Sequence, residues 1–112
     1  MVEPEFRTRL RNLSDVFETA RAMGLGADDL ATVSRAAAES RVESLLVEAE
    51  RTIPGRLDES TGDITLDRIE SPRIDDLLDD LAELVLIKGG QVLVVPSGDM
   101  PTDSGVAATF RF

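Results

Sequence analysis

Gly89-Gly90-Gln91-Val92-Leu93-Val94-Val95-Pro96 and Gly105-Val106-Ala107-Ala108-Thr109-Phe110-Arg111-Phe112 are the stretches that decide the fold. Each holds a short apolar run bounded by glycine or proline, the pattern of a strand buried on both faces. Residues 91–95 and 106–112 are therefore expected as two closing strands, the second running to the last residue of the sequence. On that reading Phe110 and Phe112 share one face and Arg111 points away, because side chains alternate along a strand.

Immediately upstream, Ile74, Leu77, Leu78, Leu81, Leu84 and Val85 recur at helical spacing and predict a strongly amphipathic helix. Ser71-Pro72 reads as its start, with serine as cap and proline at the first helical position. Lys88 falls in the last turn and Gly89 just beyond it, where helices stop. Further back, residues 42–47 (Val-Glu-Ser-Leu-Leu-Val) predict a strand. Residues 56–57 and 63–66 predict a short hairpin around the polar turn from Asp58 to Gly62.

Two helices precede these elements. Phe6, Leu10, Leu13, Phe17 and Ala20 form one apolar stripe within residues 4–23, and Gly24 with Gly26 ends it. A second helix is expected over residues 28–40, with Leu30, Val33, Ala36 and Ala37 buried and Asp28 and Asp29 at its positive end. Strands separated by helical crossovers imply an α/β fold, a mixed sheet sandwiched by helices.

Composition narrows the chemistry. At 112 residues, 42% of them hydrophobic, the chain is expected to form a single domain over residues 1–112. It has no cysteine and no histidine, which removes thiolate nucleophiles, sulfur-ligated zinc and imidazole acid–base or metal chemistry. Catalysis would rest on carboxylates, arginine and the single lysine, so the chain is not expected to be an enzyme. A net charge of −10 and only four aromatic residues, all phenylalanine, disfavour direct nucleic-acid binding. No apolar stretch approaches the ~20 residues that span a bilayer, and no signal-peptide core follows Met1, so a cytoplasmic setting without membrane contact is expected.

Few side-chain groupings suggest a site. Asp76, Asp79, Asp80 and Glu83 recur at helical spacing on the face opposite the leucines, which predicts a solvated acidic surface and a possible partner contact. Arg7 and Arg11, one turn apart with Arg9 and Arg21 nearby, make the only local basic excess. They are either a solvated helix face or a contact for an acidic partner or phosphate. The Asp58-to-Asp63 stretch lacks the spacing and closing glutamate of a calcium loop and reads as a turn. No catalytic or metal-binding residue and no cofactor, nucleotide included, is expected.

Three ordered segments resemble the C-terminal domain of the archaeo-eukaryotic peptide-chain release factor and Pelota family. Residues 30–47 look like its helix entering a twin-leucine strand, residues 82–96 like its long helix, diglycine and strand, and residues 105–112 like its terminal strand. The likeness covers residues 25–112 and is greatest to the family's bacterial release-factor-like relatives. It implies a fold related to the kink-turn-binding ribosomal proteins and a place as the last domain of a longer protein. It implies a non-catalytic, protein-interaction role in translation, in ribosome stalling, rescue or dormancy, with a translational GTPase or the ribosome as partner. An RNA-binding module of the kink-turn type is the alternative, but the basic RNA-contacting residues of the kink-turn proteins have no counterpart here. Gly89-Gly90-Gln91 spells the tripeptide that release factors place at the peptidyl-transferase centre. Its position between a helix and a buried strand gives it a structural role instead.

Overall fold

Both apolar runs form strands, and the second is shorter than expected. The computed structural model describes residues 4–66 and 75–112. In chain order the elements are α1 (Pro4–Ala22), β1 (Gly26–Ala27), α2 (Leu30–Ala38), β2 (Val42–Glu48), β3 (Pro54–Leu57), β4 (Ile64–Leu66), β5 (Asp75–Asp76), α3 (Leu77–Ile87), β6 (Gln91–Val95) and β7 (Val106–Phe110). A single 3-10 turn, Ser97–Asp99, lies between β6 and β7. All five residues of β7 are buried, but the strand stops at Phe110, and Phe112 is 67% exposed. The Arg111 backbone N–H still donates to the Arg41 carbonyl at 2.7 Å, one residue beyond the paired strands. The Arg41 guanidinium lies over the rings of both Phe110 and Phe112, at 5.3 and 5.7 Å.

The main sheet has the order β1-β7-β2-β6. Strand β2 runs parallel to β6, while β7 is antiparallel to both its neighbours. The two-residue β1 went unforeseen because it is too short to show any periodicity. A bulge at Glu43 sets Val42 opposite Phe110 and Ser44 opposite Thr109. The extra residue leaves Val42 on the same face as Leu45 and Val47, where simple alternation would have turned it away.

Alternation along β2 feeds two apolar layers. Leu46 joins Leu93, Val95 and Ala107 under Phe17 of α1, with Phe6, Leu10 and Leu13 packed at the margin. Leu45 and Val47 join Val106, Ala108 and Phe110 on the other face, under Val33 of α2 and Leu78, Leu81, Leu84 and Val85 of α3. The mixed sheet is thus sandwiched by helices, as expected. The predicted hairpin is present: β3 pairs with β4 from Gly55↔Leu66 to Leu57↔Ile64, and β5 joins β3 to complete a second, small sheet.

The start of α3 differs from expectation. Ser71-Pro72 and Ile74 lie outside the described residues. The helix itself begins at Leu77 with Asp76 as its cap, so it is shorter than its apolar pattern suggested.

All three helices end in the same way. The sixth residue's N–H returns to the first carbonyl from Leu25 to Ala20 (2.7 Å), Arg41 to Ala36 (2.8 Å) and Gly90 to Val85 (2.8 Å). The residue beside it is left-handed each time: Gly24, Ser40 and Gly89. Ser40, at φ 62°, holds this conformation without glycine's freedom. Ser40→Gly should therefore stabilise the domain by about 0.5–1 kcal/mol. Urea denaturation checks this, and a lowered midpoint would contradict it. Gly90 meets a different constraint, since a Cβ there would lie 2.6 Å from the Val42 carbonyl oxygen and 2.7 Å from a Val85 methyl.

Candidate docking surface

Helix α1 buries one stripe and leaves two large apolar side chains off it. Val16, on the helix, and Met23, in the turn directly after it, are 48% and 70% exposed. With Ala20, Leu25, Thr109 and Phe110 they line a groove of about 390 Å³ between α1 and β7. Asp15 stands at its edge as the one charged residue in the lining. The Phe110 N–H donates to the Leu25 carbonyl at 2.8 Å, which fixes the floor against the turn after α1. An open, apolar surface of this kind, with rigid walls and a polar rim, suits a protein side chain better than a reaction.

This groove was not foreseen. Val16 and Met23 are ordinary scattered residues in the sequence, and only the fold brings them to Thr109 and Phe110. Their displacement from the Phe6-to-Ala20 stripe was the one signal available.

The predicted basic contact takes a definite form. Arg7 and Arg11 are exposed and line a hollow of about 290 Å³ with Phe6, Leu10 and Asp99. Neither makes an ion pair with another described residue, whereas Arg21, Arg35, Arg41 and Arg51 each meet a carboxylate. Arg9, between them, donates instead to the Gln91 side-chain oxygen at 3.0 Å.

The predicted acidic face is broken up. Asp76 precedes the helix rather than lying on it, and its carboxylate accepts from the N–H groups of Leu78 and Ile53, both at 3.1 Å. A half-buried residue so engaged is a cap and a tie to the small sheet, not a free contact. Asp79 is exposed and lines a polar cleft with Glu48, Glu50 and Arg51. Asp80 and Glu83 lie on the helix proper, Glu83 exposed and Asp80 half-buried. Among the described residues no three acidic side chains come together in a way that could hold a metal ion.

Two other carboxylates, Asp58 and Asp29, hold a turn and a helix start. Asp58 accepts the hydroxyl and backbone N–H of Ser60, and that hydroxyl above all holds its carboxyl below the usual range. Asp29 caps α2 through the Thr32 N–H, and its carboxyl too is held below the usual range, chiefly by the Thr32 side chain and less by that N–H. Among the described helices none is long and apolar enough to cross a membrane. Gln91 opens β6, and Gly89-Gly90 close α3, so the tripeptide occupies a helix-to-strand joint and not a loop tip.

No protein-family model and no curated protein sequence matches the chain. Solved structures do. A chain in a model of ribosome-bound archaeal Pelota and ABCE1 is similar over 98% of this chain, with a TM-score of 0.64 and 24% identity. The C-terminal domain of peptide chain release factor from Methanosarcina mazei is similar over 94%, with a TM-score of 0.67 and 19% identity. This chain spans 28% of the length of the first and 82% of the second. The chain therefore has the α/β fold of that release-factor domain and of the matching part of the Pelota–ABCE1 assembly.

Proposed function

We propose that this chain is a non-catalytic docking domain of a release-factor-like protein, binding a protein partner in the translation machinery through the α1–β7 groove. The observation that carries the reading is the likeness in fold to the release-factor C-terminal domain along nearly the whole chain. The groove supplies the physical means: exposed Val16 and Met23 over a rigid floor are the sort of apolar anchor site that dominates protein association. The absence of histidine and cysteine from the sequence supports a binding role over an enzymatic one. A bacterial parent whose C-terminus this domain forms, working in the cytoplasm during ribosome stalling, rescue or dormancy, fits the sequence resemblance. Its partner would be a translational GTPase or the ribosome.

Titration of the chain against purified ribosomes and purified translational GTPases tests the reading. One of them should bind, and Met23→Glu should weaken that binding by about tenfold or more, as loss of an anchor does. No binding to either would sink it.

A second reading has one specific observation behind it, Arg7 and Arg11 beside their hollow without an ion pair among the described residues. These are the residues that would meet phosphate if the domain were an RNA-binding module of the kink-turn type. Gel-shift titration against a kink-turn RNA separates the readings. Tight binding that survives added salt and is lost in Arg7→Glu would favour RNA, since contacts to phosphate alone fade steeply with salt.

A further inference from the structure

We propose that the open edge of β6, with the flank of α3 beside it, is the seat of a second copy of this chain, the two sheets joining antiparallel into one. The main sheet has two edges. Strand β1 offers only Gly26–Ala27, too short to template pairing. Among the described residues, strand β6 offers five residues bonded on one side only, to β2, in unbroken register. Natural edge strands are usually guarded by a charge, a proline or a bulge. Gln91-Val92-Leu93-Val94-Val95 has none of these within the strand.

The side chains around this edge are also unguarded. Leu93 and Val95 face α1 and Val92 faces α3, so Val94 lies on the α3 side. There it is 55% exposed, beside Leu78 and Asp79. Leu86 follows Asp79 by seven residues and so shares its flank of the helix; it is 58% exposed. Half-buried Ala82, four before Leu86, adds a small residue to the same strip.

A second copy fits this strip better than a foreign strand does. An added strand would satisfy the edge hydrogen bonds of β6 and leave Leu86 uncovered. A two-fold axis normal to the sheet makes β6 antiparallel to its copy and keeps each face on its own side. It therefore also sets α3 antiparallel to the second α3, so that their end charges oppose. Lys88 at the end of one helix then approaches the Asp79 end of the other, twice over. Both residues are exposed, and neither is ion-paired with a described residue. The chain carries a net charge of −10, yet no charged residue belongs to β6, so the two paired strands themselves oppose no like charges along their ladder.

Sedimentation equilibrium of the full chain, from micromolar to millimolar concentration, tests this. The expected result is a mass rising to twice that of the monomer, with amide exchange in β6 slowing as concentration rises. Val94→Lys and Leu86→Glu, both at exposed positions that the fold tolerates, should each weaken association by about tenfold or more. Met23→Glu, on the α1 groove, should leave it unchanged. A monomer at every concentration overturns the proposal. So does a dimer indifferent to both edge variants, or one lost in Met23→Glu.

Discussion

Deletion of Thr109 to Phe112 should leave a chain that no longer melts cooperatively. Strand β7 lies between β1 and β2, so removing its end breaks two ladders at once. Thr109 pairs with Gly26 and Ser44, and Phe110 with Val42. Phe110 is only 7% exposed, and its burial contributes about 1.5–3 kcal/mol. The lost backbone pairs and the gap left between β1 and β2 add to that, against a total of about 5–15 kcal/mol for a domain of this kind. Thermal unfolding followed by circular dichroism reads the outcome. A sharp melt close to that of the full chain would show that β7 contributes little. Deletion of Phe112 alone is the contrast. Its ring is mostly exposed, and its stacking on Arg41 is expected to contribute only about 0.5–1 kcal/mol.

The second large effect is expected at Leu81. This side chain has no exposed surface and sits in the layer between α2, α3 and the sheet. Leu81→Ala removes its apolar contacts and leaves a cavity among Val33, Leu45 and the other leucines, where rigid strands limit collapse. The cost should be about 2–5 kcal/mol. A denaturation midpoint that does not move would mean the surroundings close over the gap without penalty.

The sequence made the large elements legible and the small ones not. Helices α1 and α3 and strands β2, β6 and β7 announce themselves because burial imposes a period on their apolar residues. The β3–β4 hairpin was legible through its turn: Asp58 accepts from Ser60 and Thr61, the bonding those residue types favour. The two-residue β1 has no period to read. The continuation to Phe112 was overread because an apolar final residue fits alternation whether or not a ladder holds it. Asp76 misled for a related reason. Its spacing to Asp79, Asp80 and Glu83 is helical, but the bonds it accepts from Ile53 and Leu78 make it the boundary of the helix. The groove was least accessible of all. Two off-stripe residues, one in the first helix and one in the turn just past it, carry no sign of the strand, far along the chain, that completes their surface.

Strand β7 is the last of the described elements in sequence and an interior one in the sheet, and this sets an order of events in folding. The helix-to-strand pairs α2–β2 and α3–β6 are local and cheap to close. The ladder joining Gly26 to Thr109 spans most of the chain and must wait for the far end to arrive. Until it does, Val16 on α1 and Met23 in the turn after it have no floor beneath them. The surface proposed for partner recognition therefore exists only in a finished domain, and a partner that reads it would discriminate the completed fold from every earlier form of the chain.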